Sequence, residues 1–473
     1  MNTVVTSIGK ASQLSRSFLE NLENEIREVY LSDSRPWVIG YSGGKDSTTA
    51  LQLVWNAVKS LPRASLTKPI YVISSDTLVE TPMISGFVDR ILALINENAV
   101  SQDLPITAHK VMPTVNDSFW VNVLGRGYPV PSNQFRWCTE RLKITPANAF
   151  ILDKVAEFGE VVVVLGVRSS ESATRAQVMS LHKIQGSHLS RHSTLPKAFV
   201  YTPIEPFTVD DVWTYLLQVP SPWGANNRDL VTLYRNAQAG ECPLVVDTTT
   251  PSCGNSRFGC WVCTVVNRDA SMEAMVENGE DWLEPLLDFR NRLASLQDSA
   301  LWASIRKYKR RDGRVKVKDG APQPWGPYTL QTRKDLLRDL LMVQQRAASF
   351  PEHQEATLIN KDELEAIRVL WRQEEGDWAD SVPQIYRDVF GVDLSWIRYE
   401  TPGFKAEEQD VLKQICERHG IPADMVAKLI EVERSLQGMA RRSSIQKRLA
   451  SVFDEDWRTV EDIQVIREST ELQ

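Results

Sequence analysis

The stretch Pro36-Trp37-Val38-Ile39-Gly40-Tyr41-Ser42-Gly43-Gly44-Lys45-Asp46-Ser47 decides the fold. Its first half is apolar and ends at a serine-glycine turn, a pattern that predicts a short buried strand. Apolar residues at helical spacing continue from Ser47 to Val58 and predict a helix that starts near Asp46. The chain is therefore expected to run from a strand through a glycine-rich turn into a helix.

This turn has the chemistry of a phosphate-binding loop. Gly43 and Gly44 lack a Cβ, so backbone N–H groups can approach phosphate oxygens, and the helix that follows points its positive end at the same place. Ser42 and Ser47 add hydroxyl donors, and Lys45 adds a positive charge. The Walker spacing Gly-x-x-x-x-Gly-Lys is absent, so the loop predicts a pyrophosphate pocket of another type. An ordinary glycine-rich turn is the alternative.

Outward from the loop, strands alternate with helices. An amphipathic helix is expected over residues 14–30, strands over 70–74, 107–111 and 161–165, and a helix over 82–96. The run Val161-Val162-Val163-Val164-Leu165 is apolar throughout, as in a strand whose sheet is covered on both faces. This alternation predicts an α/β fold with a doubly wound, mostly parallel sheet.

The rest of the chain is predicted to be Cys-rich and then helical. The expected domains are 1–230 around the loop, a Cys-rich segment 231–290, and a helical region 291–473 that contains a basic loop or hairpin at 307–327. Two helix starts have capping patterns, Thr208 with Asp211 and Thr332 with Asp335.

Composition limits the function classes. The chain has 473 residues and a formal charge of −7. It has no apolar stretch long enough for a membrane span, and its first ten residues lack a signal-peptide pattern. A cytoplasmic protein is therefore expected. An acidic chain is not expected to bind nucleic acid tightly by itself. Two basic runs, Lys307 to Lys318 and Arg441 to Arg448, are either DNA contacts or solvated surface. The DNA-contact candidates in the first run are Lys307, Lys309, Arg310, Arg311, Arg314, Lys316 and Lys318.

The sequence Ser42-Gly43-Gly44-Lys45-Asp46-Ser47 resembles the motif of the PP-loop ATP pyrophosphatases. That resemblance implies an adenine nucleotide alpha hydrolase-like fold and the splitting of ATP between its α and β phosphates. It also implies that ATP lies on Ser42 to Ser47, with Mg²⁺ on its phosphates and Asp46 as the nearest carboxylate.

Three further blocks resemble the PAPS reductase-like branch of this superfamily. They are Asp76-Thr77 with Glu80-Thr81, Cys138-Thr139-Glu140-Arg141-Leu142-Lys143 with Pro146, and Gly166-Val167-Arg168 with Glu171-Ser172 and Arg175. The resemblance implies that Asp76 faces the nucleotide and that Lys45, Asp46, Arg168 and Arg175 are the catalytic residues. Guanidinium groups suit this role because they bind phosphate in a bidentate way.

Four of the six cysteines lie between Cys242 and Cys263, a grouping that favours a metal site or catalysis over disulfides. The segment from Ser252 to Val266 closely resembles the DndC family, the ATP pyrophosphatase subunits of bacterial DNA phosphorothioation systems. That resemblance implies a [4Fe–4S] cluster, DNA as the substrate, companion Dnd subunits, and a cysteine desulfurase as sulfur donor. It implies activation of a DNA backbone phosphate by adenylation, followed by insertion of sulfur.

The cluster ligands implied are Cys253, Cys260 and Cys263, with Cys138 as the fourth thiolate and Cys242 as its rival. Cys416 lies in a distant helical pattern and is expected to be a core thiol. Zinc and a redox Cys-x-x-Cys disulfide are the alternatives at this segment.

Three other functions compete with this one. A sulfonucleotide reductase would use a C-terminal cysteine, and the last residues, Arg467 to Gln473, contain none. A tRNA thiolase would use similar activation by ATP, but the Cys253 to Val266 block disfavours this function. A nucleotide-sensing scaffold would bind ATP without turnover, whereas the loop motif is complete.

Overall fold

The computed structural model describes residues 14–171, 177, 181–237, 259–318, 321–395, 406–435 and 444–458. The chain divides into two compact units. Unit 1 contains residues 1–113 and 136–280, and unit 2 contains residues 114–135 and 281–473.

Unit 1 is built on a sheet with the strand order β3-β2-β1-β4-β6-β5. Every neighbouring pair is parallel except the edge strand β5, which runs antiparallel to β6. The strands are β1 Trp37–Gly40, β2 Ile70–Ser75, β3 Ile106–Val111, β4 Val161–Val164, β5 Ser190–Arg191 and β6 Ala198–Tyr201. The predicted mostly parallel sheet is confirmed.

Both faces of this sheet are covered. Along β1, Trp37 and Ile39 belong to one buried core and Val38 to another, as expected from the alternation of side chains along a strand. The valine run of β4 alternates in the same way and is buried throughout. The doubly wound architecture predicted from that run is therefore confirmed.

The helices of unit 1 follow the predicted alternation. They are α1 Arg16–Leu31, α2 Lys45–Lys59, α3 Pro82–Ser101, α4 Trp137–Thr139, α5 Thr145–Phe158, α6 Val209–Gln218, α7 Asn227–Ala237 and α8 Ala270–Glu277. The predicted capping box at the start of α6 is confirmed, since Thr208 and Asp211 each accept from the other's backbone N–H.

Unit 2 is mainly helical, as predicted for the C-terminal part of the chain. Its helices are α9 Glu284–Ser295, α10 Trp302–Ile305, α11 Leu330–Ala348, α12 Lys361–Glu375, α13 Ser381–Phe390, α14 Ala406–His419, α15 Ala423–Ser435 and α16 Ile445–Phe453. The short strands β7 Val317–Lys318 and β8 Ala321–Pro322 pair antiparallel within the basic segment. The prediction that Thr332 caps a helix is wrong. Helix α11 begins three residues earlier, and its cap is Thr329, whose hydroxyl accepts from the Thr332 N–H.

Residues 114–135 also belong to unit 2 and contain the π-helical turn Val121–Gly125. Three buried side chains hold this segment by hydrogen bonds to backbone oxygens. Trp371 Nε1 donates to Leu124 O (2.6 Å), Arg333 Nη1 donates to Gly125 O (2.7 Å), and Trp120 Nε1 donates to Leu358 O (2.7 Å). Among the residues described, no helix combines the length and the apolarity that a bilayer crossing requires.

Candidate functional site at the carboxyl edge of the sheet

The strand order reverses between β1 and β4. From β1 the chain proceeds through β2 to β3 on one side, and β4 and β6 lie on the other. In open α/β sheets, ligands bind outside the carboxyl ends of the strands at such a reversal. The Ser42–Ser47 segment, called the phosphate loop below, follows β1, and Gly166 to Arg168 follow β4. Both segments therefore lie at the edge where a ligand is expected.

The phosphate loop has the backbone that the sequence predicts. Gly43 has φ +73°, a conformation that residues with a Cβ rarely adopt. Gly44 is the N-cap of α2, so the first N–H groups of the helix face the loop. The loop closes on itself, because Ser47 Oγ donates to Gly44 O (3.0 Å) and accepts from the Ser42 N–H (3.2 Å).

Three charged side chains converge beside the loop. Lys45 Nζ lies 2.9 Å from Asp46 Oδ2, and Arg168 Nε lies 2.6 Å from Asp46 Oδ1. The Lys45 and Arg168 side chains are 3% and 1% exposed, so this pairing is shielded from water. Each oxygen of the Asp46 carboxylate is therefore paired with one cation. In this arrangement Asp46 positions the two cations, which together carry one positive charge more than the carboxylate balances.

Gly166 brings the segment after β4 against the start of α2. A Cβ at this position would lie 2.6 Å from Asp46 O and 2.8 Å from Ser47 N, both backbone atoms. Only glycine permits this approach, which places Arg168 beside Asp46.

Tyr234 of α7 is a contact that the sequence analysis missed. The Lys45 N–H donates to the Tyr234 hydroxyl (3.2 Å), and Lys45 Nζ lies 5.6 Å from the centre of the Tyr234 ring. The ring packs edge-on against Trp213, with centroids 5.1 Å apart. The first N–H group of α2 is therefore taken up by this hydroxyl. No local motif marks this tyrosine, which is brought to the loop only by tertiary folding.

Asp76 follows β2, the other neighbour of β1. Its Oδ1 accepts from the Leu78 N–H (2.8 Å), and its Oδ2 lies 3.3 Å from Lys110 Nζ. Burial lowers the pKa of Lys110, but the charges of Asp89 and Asp76 outweigh it and raise that pKa above its ordinary value. Asp76 is thus held in place by a backbone donor and a firmly charged lysine.

Two of the predicted cluster thiols lie at the same edge of the sheet. Trp261 N donates to Val79 O (3.0 Å), and Glu80 pairs with Cys260 in an antiparallel bridge. The Cys263 N–H donates to Cys260 O (3.1 Å), so the Cys-x-x-Cys segment forms a tight turn in which both cysteines are half-buried. The sequence blocks around Glu80 and Cys260, 180 residues apart, therefore meet.

The surroundings of Cys260 are polar and charged. Its Sγ lies 3.3 Å from Thr77 Oγ1 and 4.0 Å from Glu80 Oε1, and Lys143 Nζ lies 3.7 Å from that same Glu80 oxygen. Burial raises the pKa of the Cys260 thiol well above its ordinary value, and the charge of Glu80 raises it further. Thr77, Glu80, Lys143, Cys260 and Cys263 are called the thiol corner below.

The thiol corner fits part of a metal centre. Two thiols on one tight turn can occupy neighbouring ligand positions, and a bound cation would favour loss of the Cys260 proton. Cys138 lies in α4 and is half-buried. Cys242, Cys253 and Arg175 lie outside the described residues. Within the described ranges, no group of three or more His, Cys, Asp or Glu side chains is arranged to hold a metal. Cys416 is buried in α14, as predicted.

Two family models match parts of this chain. Residues 36–266 match the family model of the phosphoadenosine phosphosulfate reductase domain. Residues 407–454 match a second model, described as a small protein found in certain Dnd DNA modification systems. Residues 36–266 are thus similar to the phosphoadenosine phosphosulfate reductase domain, and this match together with the Dnd-system match confirms the predicted resemblance to DndC-like proteins.

An uncharacterized protein of Methanocaldococcus jannaschii is 28% identical over 198 residues, which are 42% of this chain and 35% of that protein. The chain thus matches about a third of that relative's length.

Two solved structures are also similar to parts of the chain. Candida glabrata FMN adenylyltransferase in complex with FAD and inorganic pyrophosphate is 13% identical, covers 45% of this chain and 61% of its own, and gives a TM-score of 0.25. The U34-tRNA thiolase NcsA from Methanococcus maripaludis with its [4Fe–4S] cluster is 13% identical, covers 49% and 80%, and gives a TM-score of 0.28. Similarity at these TM-scores supports no conclusion about chemistry.

Proposed function

We propose that the chain is an ATP pyrophosphatase that adenylates a DNA backbone phosphate so that sulfur can replace one of its non-bridging oxygens. The observation that carries this proposal is the pairing of Lys45 and Arg168 on Asp46 beside the phosphate loop. Cations that are buried and already positioned are suited to stabilising charge that develops on a transferring phosphate. The family match supports a nucleotide-utilising, sulfur-related function, and the Dnd-system match supports companion Dnd subunits as partners.

In the proposed reaction, the triphosphate of ATP lies on the N–H groups of the phosphate loop, with Mg²⁺ on its oxygens and the adenosine near Asp76. A non-bridging oxygen of the DNA phosphate attacks the α phosphorus. That P–O bond forms while the α–β bond breaks, and pyrophosphate leaves. Lys45, Arg168 and Arg175 neutralise the charge that moves onto the leaving group. A sulfide, supplied through a cysteine desulfurase, then attacks the DNA phosphorus, and AMP departs with the original oxygen.

We assign the thiol corner to the sulfur half of this reaction. Cys260 and Cys263, together with Cys253 and either Cys138 or Cys242, would hold a [4Fe–4S] cluster. When bound, such a cluster would supply iron–sulfur chemistry close to the point at which sulfide is delivered. Glu80, Thr77 and Lys143 would set the polarity around the ligand thiolates.

The pyrophosphatase assignment is tested by Lys45→Ala and Arg168→Gln. Removal of one positioned charge is expected to slow pyrophosphate release by about 100-fold or more. Lys59→Ala, an exposed lysine in the last turn of the same helix, is the matched control and should retain full activity. A thermal unfolding curve for each variant separates lost chemistry from lost fold. Normal pyrophosphate release by a folded Lys45→Ala protein would overturn the assignment.

The group that is adenylated is identified by an oxygen label. DNA whose non-bridging oxygens carry oxygen-18 is incubated with the full chain, ATP, the companion subunits and a sulfur donor. The proposal requires one labelled oxygen in the AMP that is released. Unlabelled AMP would show that a group other than the DNA phosphate is activated.

The cluster assignment is tested on anaerobically prepared protein by iron and labile sulfide content. Cys260→Ser is expected to lose most of the iron and the broad visible absorbance, since one thiolate ligand is removed. Cys416→Ser, which changes a buried cysteine in α14, is the control and should keep both. Iron-free protein that contains zinc would contradict the assignment.

A further inference from the structure

A large cavity lies entirely within unit 2. Its volume is about 990 Å³, and its walls come from residues 127–135, 296–312 and 325–328. The proposed site residues and the thiol corner belong to unit 1. This cavity, called the aromatic groove below, therefore has no part in the site described so far.

Aromatic rings and cations alternate along the groove. Its aromatic lining consists of Tyr128, Phe135, Trp302, Trp325 and Tyr328. The Arg306 guanidinium lies 4.8 Å from the centre of the Trp302 ring, and that of Arg311 lies 5.7 Å from the centre of the Tyr128 ring. Trp325 and Phe135 are 40% and 47% exposed, so part of each ring in this lining is accessible to a ligand.

The walls are fixed by close backbone packing. A Cβ on Gly326 would collide with the backbone oxygens of Lys307 and Lys309. Tyr328 N donates to Gly127 O (2.7 Å), and its hydroxyl accepts from the Val130 N–H (3.1 Å). Tyr328 and the backbone at Gly326 are thus held in place before any ligand arrives, which lowers the entropy lost on binding.

The basic hairpin beside the groove separates into two sets of cations. Three are paired within unit 2: Lys307 with Glu375, Lys309 with Glu455 and Arg311 with Glu374. Arg310, Arg314, Lys316 and Lys318 are exposed and have no ion pair among the described residues. Within the described part of the chain, these four cations are therefore the ones in the run that are exposed without a carboxylate partner, and Arg310 lines the groove.

We infer that the aromatic groove binds an unpaired nucleotide of a DNA strand, with the base against Trp325 and Phe135 and the adjoining phosphates on Arg310 and the hairpin cations. Planar rings recognise the face of a base, and exposed cations recognise the backbone, so the two features together fit a single-stranded nucleic acid. The volume is within the range of pockets that enclose small ligands and accommodates one nucleotide with its neighbouring phosphates. The choice of DNA rests on the proposed function.

The test uses the full chain without ATP and a fluorescein-labelled single-stranded oligodeoxynucleotide. Trp325→Ala is expected to weaken binding about tenfold without changing its salt dependence, since base stacking involves no counterion. Arg310→Gln should weaken binding and reduce the slope of log affinity against log salt by about 0.7. Phe453→Ala, an exposed ring elsewhere in unit 2, and Arg338→Gln, a half-buried cation of α11, are the controls and should bind normally.

Three results would overturn the inference. They are unchanged binding by Trp325→Ala, stronger binding to the fully paired duplex than to the single strand, and stronger binding to RNA of the same sequence. The binding test contains no ATP, so a negative result there says nothing about pyrophosphate release, which is measured in a separate assay. Conversely, a chain that lacks pyrophosphatase activity can still be scored for groove binding, so the two proposals fail separately.

Discussion

Gly166 lies where the segment after β4 passes the first turn of α2. The two backbones are close enough that an added methyl group would meet the Asp46 carbonyl and the Ser47 N–H. Neither atom belongs to a flexible side chain, so relief would require movement of the phosphate loop itself. The position of Arg168 beside Asp46 depends on this contact.

Gly166→Ala is therefore expected to impair chemistry more than folding. A displacement on the scale of 1 Å at a reacting centre can cost about 100-fold in rate, whereas overpacking costs about 1–3 kcal/mol of stability. Pyrophosphate release and thermal unfolding measured on the same preparation check both parts. Gly86→Ala in α3, where an added Cβ meets nothing within 4 Å, is the control. Equal activity of the two variants would refute this role for Gly166.

At the scale of elements, the sequence predicted what depends on local pattern. The strand β1, the phosphate loop and α2 follow from one stretch of apolar and glycine residues, and the valine run of β4 follows from its burial on both faces. The capping box at Thr208 needs only four residues and was also predicted. Each of these features has a local sequence pattern, although the strands themselves are stabilised by pairing with strands distant in the chain.

Features that depend on distant contacts were not predictable. The start of α11 at Thr329 is one example, because Thr329 and Thr332 both suit a cap and the Thr332 hydroxyl instead donates to Ile305 O (3.2 Å). The contact of Tyr234 with Lys45 is another. The bridge between Glu80 and Cys260 is a third example. Each of the two motifs is recognisable in the sequence, but neither shows that it lies beside the other. A sequence pattern shows which residues have functional chemistry, but only tertiary packing shows which of them meet.

At the scale of the whole molecule, each unit contains a carboxylate that pairs with two cations. In unit 1 this carboxylate is Asp46. In unit 2 it is Glu375, which pairs with Arg333 (2.6 Å) and with Lys307. Burial alone would raise the pKa of Glu375, but the charges of Arg333 and Lys307 outweigh it and hold that pKa below its ordinary value of 4.5. A lowered pKa means that the folded state resists protonation, so the stabilisation is present above about pH 4.5 and is lost as the pH falls through the folded value.

Glu375→Gln should therefore destabilise unit 2 by about 3 kcal/mol near neutral pH, since it leaves Arg333 buried without its counter-charge. The difference in unfolding free energy between this variant and the unaltered chain should shrink as the pH is lowered below 4.5.

Calorimetry with and without ATP shows which unit is affected, because a ligand of unit 1 at 100 times its Kd stabilises that unit by about 2.7 kcal/mol. ATP is expected to raise the transition of unit 1, and Glu375→Gln to lower that of unit 2. Glu374→Gln, which breaks only the half-exposed pair with Arg311, should cost at most about 1 kcal/mol. A difference between Glu375→Gln and the unaltered chain that grows in acid would contradict the assigned role of this carboxylate.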